Sequence, residues 1–344
     1  MDMNLPTRFD SLLDLARLPW FEERGGRLLL ADRALVGDGA IDIHTHLALA
    51  YGPRPRLDLA RAWPETEHYL PKERALDLDV YANRNFSDDD LKRMSRDLTF
   101  RSLTAGGMRR THTAANLRRE MDELGITRSV LLAIDYAALS HNSEWWLEST
   151  RGMANLVTFG SVHPYTPFPS RRLDALVAMG ARGVKVHPAV QLVAPDDPLA
   201  MRIYRLAGAR RLPVLFHCGP VGIEPPIGRW LTQVKRYERA IAENPETQFV
   251  LGHAGALQMP EALHLAKRFG NVWLETSSQS LSAVRRLVAE MPERTMFGTD
   301  WPFYHQAIGL AKLFIAAGDD ARARQAILSE NARRLFRLAS GTAL

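Results

Sequence analysis

Residues 182–217 read RGVKVHPAVQLVAPDDPLAMRIYRLAGARRLPVLFH. Two short apolar runs, RGVKVH (182–187) and PVLFH (213–217), flank an amphipathic stretch over 198–210. A strand, a helix and a second strand at these lengths form a right-handed βαβ unit with parallel strands. The alternation continues on both sides. Upstream, SVLLAI (129–134) and LVTFGSV (156–162) read as strands, and downstream QFVLGH (248–253), NVWLET (271–276) and RTMFGT (294–299) do the same. AIDIHTH (40–46) makes eight. Helical patterns fall between them at 116–124, 144–152, 171–179, 198–210, 228–243, 259–269 and 281–290, and after the last strand at 306–317 and 319–337. Eight such units, with no GxGxxG to favour an open sheet, predict a closed (β/α)8 barrel of the TIM type.

Two segments stand outside this rhythm. Residues 1–39 form an N-terminal extension in which a helix is expected at 8–18, followed by the apolar RLLLADRALV, and which covers one end of the barrel. Residues 40–344 make the barrel itself. Within it, residues 47–113 separate strand 1 from its helix, far more chain than such a connection needs. This insertion leaves strand 1 at the end where barrel active sites lie, so a lid is expected; a surface subdomain without chemical role is the other reading.

Composition narrows the function classes. The chain of 344 residues is 46% hydrophobic and 24% charged, with a formal net charge of +5. Its 44 basic residues include only six Lys, and the Arg alternate with acids along helical stretches. That pattern describes solvated helix faces, not a nucleic-acid-binding stripe, and leaves a small-molecule substrate as the expected partner. No stretch has the apolar length of a membrane span, and the start MDMNLPTRFDSLLDLARL lacks a basic segment followed by an apolar block. With one cysteine, Cys218, an intramolecular disulfide is excluded; a cytoplasmic location is expected.

The histidines point to chemistry. Four of eleven close a predicted strand: His46, His187, His217 and His253. His44 precedes His46 by two, and Asp300 follows strand 8. Strand residues two apart share a side, so His44 projects with His46, and Lys185 with His187, while Ile43, Val184 and Val186 turn toward the helices. A lone histidine in an apolar strand is an ordinary hydrogen-bonded core residue. Several of them ending neighbouring strands, together with a strand-8 aspartate, point to a metal site at the barrel mouth.

IDIHTH, VLFHCG, VLGHAGA, FGTDWP and ILSENARRLF together resemble the amidohydrolase superfamily, in its amidohydrolase-related branch of metal hydrolases, lactonases and non-oxidative decarboxylases such as aminocarboxymuconate-semialdehyde decarboxylase. The resemblance runs over about residues 40–337. It implies His44, His46, His217 and Asp300 as metal ligands, and His253 as a group acting on substrate or water. Lys185 resembles the lysine that, carboxylated, bridges two metals in binuclear relatives. With His187 beside it, Lys185 is read instead as a substrate-binding residue, which leaves one divalent ion, zinc first with manganese, iron or cobalt open, and a second ion only if Lys185 is carboxylated. The oligomeric state stays open, the resemblance alone suggesting a homodimer.

From this ligand set follows the expectation of a hydrolase, in which an activated water attacks an ester, lactone or amide-type carbonyl of a small cyclic or carboxylated substrate. Asp300 would take the water's proton, and His253, with Lys185 or His187, would polarise the carbonyl. The alternative is a metal-dependent, non-oxidative decarboxylase with His253 carrying the proton. Outside this set, Arg109, Arg110 and His112 read as a solvated cluster or an anion site, and His163 as a loop residue. Glu275 reads as a support of the site or a helix-cap partner, Cys218 as a buried filler, and Trp301 with Phe303 as an apolar wall. His68, His141, His264 and His305 receive no role.

Overall fold

The computed structural model describes residues 5–50, 52, 57–136 and 139–338. Eight parallel strands form the barrel: β1 (Ala40–Thr45), β2 (Ile126–Leu132), β3 (Leu156–Phe159), β4 (Val184–Val186), β5 (Val214–His217), β6 (Phe249–Gly252), β7 (Val272–Glu275) and β8 (Thr295–Met296). Two ladders carry them, one of β1–β3 and one of β4–β8. Single bridges join the ladders, Gly160 with Val184 and Thr45 with Trp301. Backbone bonds reinforce both seams: Lys185 N to Gly160 O (2.8 Å), Ile43 N to Phe297 O (3.0 Å) and His46 N to Trp301 O (2.7 Å). The (β/α)8 architecture read from the sequence is the one observed.

Apolar residues on alternate strand positions build two layers. Val184 and Val186 pack outward with Leu173, Tyr204 and Ala207 of the surrounding helices. Inside the barrel Val130, Phe159, Leu215, Val250, Trp273 and Met296 form a separate cluster that includes Ile41, Ile43 and Phe336. Ile43 therefore does not face the helices as simple alternation predicts; the pairing of β1 with β2 is irregular between Asp42 and Thr45, and a bulge of this kind re-aims side chains. At the N-terminal ends of the strands, helix Asn331–Phe336 closes the floor. Asn331 Nδ2 donates to Thr295 O at 2.6 Å, and the Phe336 ring lies 5.3 Å from that of Phe159.

Most helices stand where their periodicity puts them, and side-chain oxygens cap the backbone N–H groups of their first turns. Thr113 does this for Ala114–Leu124, Asp197 for Pro198–Ala209 and Ser280 for Leu281–Glu290. Three expectations are corrected. The helix at 8–18 is a short strand, Arg8–Phe9, paired with Leu76–Asp77 of the insertion and followed by a 3-10 turn, Leu13–Arg17. The helix at 228–243 is broken into Pro226–Leu231, a 3-10 turn and Tyr237–Ala242, with Gln233 extended between them. The one at 319–337 contains a π-helical turn, Ala326–Glu330.

In the extension, Phe21–Arg24 and Arg27–Leu30 form an antiparallel hairpin. The side chains of Leu30 and Val36 crowd Gly125, whose φ of +69° only glycine adopts freely. The insertion carries helix Asp88–Leu98, opened by a Ser87–Asp90 capping box. It returns over the strand ends, where Ala48 N donates to His112 O (2.9 Å) and Tyr69 N to Pro302 O (3.1 Å).

Candidate metal centre

The C-terminal ends of β1, β4, β5, β6 and β7 and the residues just past β8 converge on one buried cluster. His46 Nδ1 lies 2.9 Å from Leu132 O; a carbonyl only accepts, so this nitrogen carries the ring proton. His44 Nδ1 lies 2.8 Å from Glu275 Oε1. With both Nδ1 protons committed, the Nε2 lone pairs of His44 and His46 turn toward Asp300 Oδ1, at 3.7 and 3.4 Å. Acceptor faces acceptor at both contacts. A cation resolves that arrangement, and two imidazoles with a carboxylate are a donor set that zinc and similar divalent ions take. His253 adds a third imidazole: among the described residues, one donor atom each of His44, His253 and Asp300 lie within 4.8 Å of one another.

His217 stands outside that group. Its Nδ1 is 3.1 Å from His253 Nε2, and its ring stacks on His187 with centroids 4.0 Å apart. Burial, reinforced by neighbouring imidazoles and by Lys185, holds His44, His187 and His217 well below the usual imidazole range. Burial holds His253 there too, against the opposing pull of Asp300 and Glu275. All four are therefore neutral at pH 7, as ligation requires. Lys185 is fully buried, with Nζ 3.4 Å from His44 Nε2. Burial lowers its pKa to about 8, while Asp300 and Glu275 oppose the shift.

Behind these side chains lies a second set that holds them. The carboxyl of Glu275 accepts from His44 Nδ1, His253 N, Ser277 N (2.6 Å) and Ser277 Oγ (2.8 Å). Glu275 thus supports the site and does not cap a helix. Ser277 Oγ also meets His253 Nδ1 at 2.7 Å. Asp42 accepts from His44 N (3.1 Å), Thr299 N (3.0 Å), the Thr299 hydroxyl and Gln306 Nε2 (2.7 Å). Its carboxyl is pushed up to about 7 by burial, against these hydrogen bonds. The sequence reading passed over Asp42 and Ser277, although IDIHTH places Asp42 two residues before His44.

Three consecutive strand ends put non-glycine residues in left-handed backbone: His253 (φ 54°), Ser278 (φ 60°) and Asp300 (φ 65°). Such conformations cost about 1–3 kcal/mol each and persist where the surroundings impose them. The weaker candidates resolve as structure. Arg109 is buried and donates to Arg101 O at 2.9 Å, so it is no solvated surface residue. Arg110 pairs with Glu67 at 3.2 Å, and His112 bonds Glu67 O at 2.9 Å. His163 bonds Gln191 O at 2.9 Å, and Cys218 is buried and free. His68 and His305 flank Glu120, whose Oε2 lies 3.1 Å from His68 Nε2 and accepts from Trp301 Nε1 at 3.1 Å. Phe303 packs edge-on against the His46 ring at 6.1 Å; Trp301 is fully buried.

With this geometry in hand, comparison with known proteins decides the family. A model of the family described as amidohydrolase matches residues 41–338. The chain belongs to the amidohydrolase family. No curated protein sequence matches it. Among solved structures it is similar to the 5-carboxyvanillate decarboxylase of Sphingomonas paucimobilis, at a TM-score of 0.61 and 17% identity over 88% of this chain and 99% of that one. A second 5-carboxyvanillate decarboxylase, from Novosphingobium aromaticivorans and complexed with manganese and 4-hydroxy-3-methoxy-5-nitrobenzoic acid, aligns at 0.55 and 17% over 88% and 97%. A probable 2-pyrone-4,6-dicarboxylic acid hydrolase from Acinetobacter baumannii, with citric acid bound, aligns at 0.52 and 15% over 87% and 100%. At these identities the likeness carries the fold. Among the described residues no helix is long and apolar enough to cross a membrane.

Proposed function

We propose that this amidohydrolase-family protein is a metal-dependent lyase that releases CO2 from a small ring carboxylate without an oxidant. The observation that carries the reading is the convergence of the His44, His46 and Asp300 acceptors beside the buried Lys185 amine. The reaction breaks the bond from ring carbon to carboxylate carbon, leaves the electron pair on the ring, and then needs a proton there. His44, His46 and Asp300 would hold a divalent ion, which would supply positive charge to orient the substrate and offset charge developing on the ring. Lys185 and His187 bind the carboxylate. His253, connected through Ser277 to Glu275, takes up a proton and relays it to the ring carbon. Residues 47–113 act as the lid that keeps water from the carbanion.

Decarboxylation stands ahead of hydrolysis, the expectation from the ligand set alone, because both 5-carboxyvanillate decarboxylases align at higher TM-scores than the pyrone hydrolase. Hydrolysis of a cyclic ester is the second reading, supported by the likeness to the pyrone hydrolase; there Asp300 takes a proton from water.

The test is to load the purified protein with manganese or zinc and offer 5-carboxyvanillate, simple hydroxybenzoates and 2-pyrone-4,6-dicarboxylate. Trapped CO2 from a ring carboxylate, lost with Asp300→Asn, is the expected result. Acid release from the pyrone without CO2 would put the hydrolase first. Metal uptake without either reaction would count against both for these compounds.

A further inference from the structure

The insertion brings the Tyr81 side chain to Ser278, at the edge of the His44–His46–Asp300 cluster. Its segment 78–83 is strapped to the loops beyond β7 and β5: Leu281 N donates to Leu78 O (2.7 Å), Ala82 N to Ser278 O (2.8 Å) and Asn83 Nδ2 to Val221 O (3.0 Å). From the loop after β8, the Tyr304 hydroxyl donates to Asn83 Oδ1. This strap sets Tyr81 beside Ser278, whose hydroxyl donates to the outer oxygen of Asp300, Oδ2, at 3.4 Å. Tyr81 is only 7% exposed, and the charges of Asp300 and Glu275 act on its hydroxyl. Among the described residues that hydroxyl makes no hydrogen bond of normal geometry, Ser278 being the group that comes nearest to serving it.

A buried hydroxyl without a well-aligned partner is destabilising, and its burial pushes the phenol above its ordinary range. Tyr304 is matched to Asn83, and Ser278, which donates to Asp300, offers its oxygen to Tyr81 only in poor geometry. What the Tyr81 hydroxyl lacks is an acceptor on the substrate side. We propose that Tyr81 is a substrate-binding residue delivered by the insertion, its hydroxyl donating to an anionic oxygen of the ring carboxylate bound beside Asp300. The inference rests on the reading of the site as one for ring carboxylates, and it makes the insertion part of the specificity pocket.

Tyr81→Phe removes the oxygen and leaves the ring. Binding of 4-hydroxy-3-methoxy-5-nitrobenzoic acid to the manganese-loaded protein, measured by calorimetry, should weaken about 10-fold or more in the variant, while manganese affinity stays unchanged and Tm holds or rises. Tyr304→Phe is the control: it cuts the strap, so its Tm should fall. Unchanged nitrobenzoate binding in Tyr81→Phe, no binding by the wild type, or a Tm loss in Tyr81→Phe matching that of Tyr304→Phe would each overturn the proposal. Turnover separates it from the reading beneath it. Tyr81-dependent binding with no CO2 release would leave Tyr81 in place and remove the lyase. CO2 release from 5-carboxyvanillate with Tyr81-independent binding would do the reverse.

Discussion

At the floor of the barrel, Phe336, Phe159, Ile41 and Trp273 fill the space between strands with apolar side chains. At the mouth, a few residues further along the same strands, His44, His217, Lys185 and Glu275 are just as buried but meet one another as hydrogen-bonding and charged groups. The floor gains its stability from area removed from water. The mouth gives stability up, with neutral imidazoles, a desolvated lysine and three left-handed residues held in place by the structure around them. Stability and ligand binding should therefore separate by position, and substitutions can break that division.

The largest effect belongs to the floor. Phe336→Ala should lower unfolding free energy by about 3–5 kcal/mol, read from denaturant titration, with metal bound per folded chain unchanged. Loss of metal in the folded variant would mean that the floor and the mouth are not separable. Next, His46→Ala should leave Tm of the metal-free protein within a few degrees of wild type while manganese or zinc affinity falls at least about 100-fold; unaltered affinity by calorimetry would remove His46 from the ligand set. Glu275→Gln keeps size but returns an amide where four donors converge, and it should weaken metal binding about 10–100-fold. An effect on Tm alone would reduce Glu275 to scaffolding.

Acid should act through the mouth and its surroundings. His44, His217 and His253 resist protonation in the fold, as do His305, lowered to about 4, and His112, lowered to about 3. The unfolded chain takes up these protons first, below its ordinary histidine pKa of about 6.5. Stability of the metal-free protein therefore falls as pH drops from there toward 4, each such histidine contributing up to about 1.4 kcal/mol per pH unit. Asp42, raised to about 7, and Asp135 and Glu123, also raised by burial, work the other way over part of that range but are fewer than the histidines. The fall should persist with the same slope in Phe336→Ala. A Tm that is flat from pH 7 to 4.5 would contradict the burial of these imidazoles as neutral rings.

The same division explains what could be read from the chain. The barrel was legible because its strands and helices follow local periodicity, and His44, His46 and His253 were legible because a polar side chain ending an apolar strand stands out. Distant partners were not. Arg8–Phe9 became a strand because Leu76–Asp77 lies beside it, and no pattern near residue 8 announces that. The irregularity in β1 turns Ile43 inward against a simple count of alternation. Glu275 was visible as a strand end, but its four donors come from β1, from the end of β6 and from its own loop. Tyr81 sits in an insertion without periodicity, so only the strap that carries it reveals where it goes.

The left-handed backbone at Asp300 carries a lesson for anyone redesigning this site. Aspartate and asparagine tolerate that conformation better than most residues, while longer side chains such as glutamate lack their local hydrogen bonding to the main chain. Exchanging Asp300 for Asn spares the loop and tests the charge. Exchanging it for Glu asks the main chain to refold before any question of chemistry arises, so the choice of carboxylate at this corner was settled by geometry as much as by reactivity.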